Sequence, residues 1–242
     1  MKLYMITSNV YTKNVCPLNV HFLNKYWADL DITIVGYEAV LELENLPSNV
    51  STVCIGKQSD FGKTWTNALI PFFKDIPEDY FALNFDDHIL MNKVDLNKLQ
   101  IIEEQFEAGN IDKAQIGGGI NLKYTTQFTN DLLLFREGID YRLSLHPAIW
   151  SKEFFLKYLK PGMSAWDFEL QLNAKSPPDG MKIVNLDYNY PDEPHLYSYF
   201  ELYSKGKLNI DFIGRSIIEQ PSSKFFDVSD LRYIANKMYG EM

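Results

Sequence analysis

The stretch YFALNFDDHIL, Tyr80 to Leu90, drives a mostly apolar run into two adjacent carboxylates and a histidine, Asp86, Asp87 and His88. Such a run reads as a buried strand, and carboxylates at its end must be solvated, paired or holding something. Side chains alternate along a strand. One carboxylate can therefore reach a ribose or base while the other binds a hard cation such as Mg²⁺ or Mn²⁺, which bridges phosphate oxygens. A solvated strand-end turn in which Asp87 caps the backbone explains the same residues equally well. A second acidic stretch, MSAWDFELQLN, offers Asp167 and Glu169. Ser164 and Asp167 have the S-x-x-D spacing of a capping box, which gives Asp167 a structural role. Glu169 has no such local partner and shares a helical face with Trp166. Partial burial beside that indole would raise its carboxyl, so of the two Glu169 is the one favoured for chemistry and Asp167 is its rival.

Elements must bring these groups together. KLYMIT, DITIVGY, STVCIG and DYFALNF are strand candidates separated by amphipathic stretches, the pattern of βαβ units around a mostly parallel sheet. Leu18, Phe22 and Tyr26 recur at helical spacing behind Pro17, a residue suited to a first turn, and WTNALIPFFKDI gives another helix that Pro71 should bend or interrupt. Asp95 caps a helix carrying Leu96, Leu99, Ile102 and Phe106, which ends near Gly109. KAQIGGGINL and YRLSLHPAIW read as further strands, and Ser151 opens a short helix. In an open α/β sheet, ligands bind outside the carboxyl ends of the strands, which is where Asp86 and Asp87 fall. Two amphipathic stretches, YSYFELYSKG and VSDLRYIANKMYG, follow a soft boundary near Pro191.

GKQSDFGKT sits where a phosphate-cradling loop would be, but has one residue too many between its glycines. It reduces to a flexible loop with Lys57 and Lys63 near a helix start, a place that suits a diphosphate. The three glycines from Gly117 to Gly119 read as a turn or a close backbone approach.

The balance of 23 basic against 32 acidic residues, net −9, argues against nucleic acid as a partner. Two cysteines, Cys16 and Cys54, are too few for a disulfide scaffold or a thiolate zinc site. No signal peptide or membrane-spanning window is visible, and the expected location is cytoplasmic.

The segment from Phe61 to Leu90 resembles the nucleotide-sugar half of GT-A-fold glycosyltransferases, with Gly62, Asn67, Asp86 and Asp87 in the positions of the glycine, the Asn-bearing helix start and the DxD-type motif. It departs from that pattern at His88, where a second aspartate is usual. MSAWDFELQLNAKSPPDGMKIV resembles the acceptor-side segment of the same fold. The resemblance spans roughly Met1 to His195 as an order of elements. It implies an α/β class with a GT-A-like Rossmann-type mixed sheet flanked by helices and a small helical C-terminal appendage. Residues 1–190 would form the catalytic domain, 1–92 its nucleotide-sugar half and 93–190 its acceptor half, with 191–242 a helical extension. The implied activity is inverting, metal-assisted transfer of a hexose from a nucleoside-diphosphate-sugar to a glycan or glycolipid hydroxyl, as in polysaccharide biosynthesis. Donor contacts would come from Thr7, Ser8, Lys63, Asn67 and Asp86, and Mn²⁺ or Mg²⁺ ligands from Asp87, His88 and His195. His146 and Trp166 would meet the acceptor, and Glu169 or Asp167 would take its proton.

Two alternatives stand beside this. A nucleotidyltransferase uses adjacent carboxylates and a metal on an α/β sheet but consumes a triphosphate. A non-catalytic carbohydrate-binding or assembly protein on a degenerate transferase scaffold is kept open by His88. The apolar faces of the two C-terminal stretches could close over the site, form a homo-oligomer or rest on a membrane surface beside lipid-linked acceptors.

Overall fold

In the computed structural model, residues 1–62, 64–117, 122–187, 195–204, 207–209 and 227–239 are described. Strands β1 (Lys2–Ile6), β2 (Asp31–Gly36), β3 (Val50–Cys54) and β4 (Tyr80–Phe85) alternate with helices α1 (Asn9–Tyr26), α2 (Gln58–Phe61) and α3 (Trp65–Asp75). The short strand β5 (His88–Leu90) leads to α4 (Leu96–Glu107), β6 (Lys113–Gln115), β7 (Thr125–Gln127) and β8 (Leu132–Phe135). Then come β9 (Ala148–Ser151), α5 (Lys152–Tyr158), α6 (Ala165–Glu169) and β10 (Ile183–Leu186). The chain continues through β11 (Tyr199–Glu201), β12 (Tyr203–Ser204), β13 (Lys207–Leu208) and α7 (Val228–Tyr239).

One nine-stranded mixed sheet runs in the order β3-β2-β1-β4-β9-β6-β10-β8-β7. The four leading strands are parallel, β9 is antiparallel to both β4 and β6, and β10 is parallel to β6. Alternation along β1 divides the core. Leu3 and Met5 face one cluster with Cys16, Val20 and Leu23 of α1 and Leu99, Ile102 and Phe106 of α4. Tyr4 and Ile6 face another with Leu69 and Phe73 of α3, Phe154 and Phe155 of α5 and Phe168 of α6. The result is a three-layer α/β/α arrangement.

The chain goes from β1 outward through β2 and β3, then returns to place β4 on the other side of β1. The strand order therefore reverses between β1 and β4, which opens a crevice at their carboxyl ends. Beyond the last pair of β4 with β9, Leu83–Ala148, the two strands lead to Phe85 on one side and His146 on the other. The carboxyl ends of β1, β4 and β6 and the start of β9 consequently share one sheet edge.

Several expectations change. Helix α1 begins at Asn9, so Pro17 lies inside it, where burial of Val15, Cys16, Leu18 and Phe22 outweighs the hydrogen bond that proline cannot make. Helix α3 likewise runs through Pro71 without interruption. Of YRLSLHPAIW, only the end joins a strand, because Tyr141 to Leu143 form a turn and Ser144 donates its N–H to the Tyr141 carbonyl. The C-terminal extension is not wholly helical: β11 pairs antiparallel with β5. Helix α7 does form, and buries Leu231, Ile234 and Ala235 in a cluster with Leu18 and Phe22 of α1. That apolar face is used within the chain. Among the described residues no helix is long and apolar enough to cross a membrane.

Candidate active site

The carboxylate turn after β4 is held from every side. Asp86 is buried, and its Oδ2 accepts a 2.5 Å hydrogen bond from the Thr7 hydroxyl across the crevice, while its N–H donates to the Ile6 carbonyl. From α1, buried Asn19 donates to the carbonyls of Phe85, Asp86 and His88 at 2.8–3.2 Å. Asn84 and the Tyr197 hydroxyl both donate to the His88 carbonyl, and the Leu202 N–H donates to that of Asp87. A turn whose backbone is fixed this thoroughly presents its two carboxylates preorganised.

Their electrostatics are unbalanced. Burial lifts the Asp86 carboxyl to about 6 against the pull of the Thr7 and Ser8 donors. Burial, then the Asp86 charge, then Glu201, lift Asp87 to about 7. Glu201 lies opposite His88 in the β5–β11 pairing and was not anticipated, because a partner more than a hundred residues away leaves no local signal. A buried and a half-buried carboxylate side by side, with surplus negative charge, fit a hard divalent cation in donor chemistry.

His88 and His195 fit less well. The His88 ring stacks on His146 at 5.9 Å and lies 4.7 Å from the Tyr199 ring, and burial with the His146 neighbour holds it down to about 3. His195 is half-buried, and its carbonyl accepts from Asn92 and Ser198. Among the described residues no three His, Cys, Asp or Glu side chains converge as a metal site. The structure thus brings Asp86 and Asp87 together but does not gather Asp87, His88 and His195.

Ser8 is the N-cap residue of α1, beside Thr7. Asn67 has structural partners: its Oδ1 accepts from the Gly162 N–H at 2.7 Å and its Nδ2 donates to Thr64, tying α3 to the loop before α6. Lys63 lies outside the described residues, as do Gly118 and Gly119. Gly117 does mark a close approach, since a Cβ there would lie 3.0 Å from the Tyr197 carbonyl.

Farther along the same edge opens a cavity of about 460 Å³, walled by Gln115, Arg142, His146, Trp166, Glu169 and neighbouring side chains. Its size suits a small-molecule site. Glu169 Oε1 accepts a 2.6 Å bond from the Leu145 N–H, which fixes its carboxylate at the wall. Asp167 is not part of that wall. It is exposed, and its Oδ2 accepts from the Ser164 N–H at 2.9 Å and hydroxyl at 2.7 Å, completing a capping box that holds its carboxyl below the usual range. Tyr199 connects the two regions. Its hydroxyl meets His146 Nδ1, and burial, then Glu201, Asp87 and Glu169, push its own ionisation upward.

No family model matches the chain, and no curated protein matches it. Among solved structures it is similar to the galactosyltransferase LgtC bound to donor and acceptor sugar analogues, at 11% identity over 65% of this chain, TM-score 0.40. It spans 60% of that structure's length, less than two thirds. It is also similar to a cytidylyltransferase from Leptospira borgpetersenii serovar Hardjo-bovis (12% identity, 98% of this chain and 94% of that one, TM-score 0.48). A third is S. aureus TarS 1-349 (12% identity, 98% and 71%, TM-score 0.46).

Proposed function

We propose that the chain is a glycosyltransferase that moves a hexosyl unit from a nucleoside-diphosphate-sugar to a hydroxyl of a glycan or glycolipid. The observation that carries this reading is the placement of a pinned carboxylate pair at the β1/β4 crevice, on the same sheet edge as a cavity walled by Glu169. The nucleoside lies against Thr7 and Ser8, and Asp86 orients it from a carboxylate already aligned by Thr7. Asp86 and Asp87 would hold Mg²⁺ or Mn²⁺, which supplies neutralisation of the leaving diphosphate. Glu169, aligned by the Leu145 N–H, accepts the proton of the attacking hydroxyl, and attack from the face opposite the diphosphate inverts the anomeric centre in one displacement. Asp167 keeps its role as the cap of α6. On this reading the catalytic unit runs past the expected boundary at residue 190, because Tyr197 and Leu202 help hold the carboxylate turn.

The test is thermal stability against UDP-, GDP-, dTDP- and CMP-sugars and against UTP and CTP, with and without Mn²⁺. It compares wild type with an Asp86→Ala/Asp87→Ala double variant. At a hundredfold excess over Kd a ligand of the native state adds about 2.7 kcal/mol, which is about 5–10 °C in Tm for a chain of this size. A nucleotide-sugar shift that needs Mn²⁺ and is lost in the variant supports the proposal. A shift with triphosphates alone points to nucleotidyl transfer, and no shift in a folded protein refutes a nucleotide site.

A further inference from the structure

Among the described residues the strongly exposed aromatic side chains are Tyr124, Tyr141, Trp166 and Tyr233, and all but Tyr233 line the cavity at Glu169. Trp166 is 64% exposed and Tyr141 52%. Water-facing rings gathered around one cavity form a ligand surface rather than scattered surface hydrophobics. Tyr141 carries a second signal. Its φ is 60°, a left-handed conformation that costs a bulky residue free energy and that glycine adopts freely.

Two buried cations hold that conformation from below. Lys113, fully buried in β6, donates to the carbonyls of Ser144 at 2.7 Å and Arg142 at 3.3 Å, with its ammonium 4.3 Å from the Trp150 ring centre. Arg142 is tied to Asp179 at 2.7 Å and to the Met181 carbonyl at 3.0 Å. Burying a lysine is costly, and an apolar side chain would pack β6 against Trp150 without that cost. What the lysine adds is the pair of bonds to the Tyr141 turn.

The polar groups define what such rings would stack on. Asp140 and Glu169 stand in the walls, and Arg142 is neutralised by Asp179, so the cavity disfavours an anion. Exposed rings among the Asp140 and Glu169 carboxylates and the Ser144 hydroxyl match a ligand with an apolar face and a rim of hydroxyls, each of which donates and accepts. We propose that this cavity binds the pyranose rings of a neutral oligosaccharide, with Tyr141 as a specificity-determining ring and Lys113 as the residue that positions it. This deepens the transferase reading by naming the acceptor class, and it rests on that reading for the acceptor role alone.

The experiment reads tryptophan quenching by acrylamide with lactose, maltotriose and chitotriose as probes, because Trp166 is the exposed indole. Wild type should gain protection with at least one probe, and Trp166→Phe should abolish the signal. Tyr141→Gly should weaken saccharide binding at least tenfold while its Tm is unchanged or higher, since glycine relieves the backbone. Tyr141→Phe should bind as wild type, and Lys113→Met should weaken binding less than Tyr141→Gly without lowering Tm. A Tyr141→Gly protein that loses stability yet binds saccharide normally overturns the proposal, as does absence of protection in wild type with every probe. Nucleotide-sugar shifts measured on the same proteins separate the two readings: a donor shift without saccharide protection sinks only this inference. Saccharide protection without any donor shift sinks only the transferase.

Discussion

Replacing Asp87 by asparagine should stabilise the protein at pH 8 and not at pH 4. Asp87 has a carboxyl raised from 3.8 to about 7 by burial, by Asp86 and by Glu201. Below 3.8 the folded and unfolded chains both hold the proton and the substitution changes little. Between 3.8 and about 7 the unfolded chain ionises first, so folding loses stability as pH rises, and above 7 the whole penalty is present. At about 1.4 kcal/mol per tenfold change in proton affinity the penalty amounts to about 4 kcal/mol. Solvent at this half-buried group reduces it to about 2 kcal/mol. Asparagine keeps the shape and removes the charge. The expected gain at pH 8 is therefore about 4–8 °C in Tm, read by thermal or urea unfolding in chelator at the two pH values. A gain equal at both pH values, or a loss at pH 8, would show that Asp87 is not held ionised against repulsion. A residue whose removal stabilises the fold is retained for something other than the fold.

Glu169→Gln should lower sugar transfer by about 10²–10⁴-fold in an assay with a donor that binds, whereas Asp167→Ala should loosen the start of α6 slightly and leave transfer within a few fold. Asp179→Ala strands the buried Arg142 guanidinium and should destabilise by about 3–5 kcal/mol in urea unfolding. Gly36→Ala would set a Cβ 2.6 Å from the Thr7 methyl and 2.7 Å from Val40. It should cost about 1–3 kcal/mol and weaken nucleotide-sugar binding through the displaced Thr7–Asp86 bond.

What could be read from the sequence was local. The four leading strands appear as apolar runs, Asp95 and Ser151 cap α4 and α5 as their types suggest, and the carboxylates fall at a strand end. The capping box of Asp167 was legible for the same reason, since its partner stands three residues away. Pro17 misled because proline marks a helix start more often than an interior, and only the burial around α1 overrides it. The turn at Tyr141 looked like a strand because its alternating apolar residues carry no sign that Lys113 and Arg142 anchor it from other elements. Glu201 was invisible for a related reason, because β5 finds its partner far along the chain. Buried cations and cross-chain carboxylates have no periodicity to announce them.

The pairing of β5 with β11 also sets an order of events during synthesis. His88 of β5 meets Glu201 of β11, so 113 residues separate the two halves of that ladder (201 − 88 = 113). The parallel strands β1 to β4 can assemble while the ribosome is still making the second half, but the Leu202 N–H that holds Asp87 emerges much later. Closing so long a loop is slow, so the sheet should form before its acidic turn is secured. A nascent chain released before β11 would carry the carboxylates without their clasp, and would be a folded scaffold that has not yet become a site.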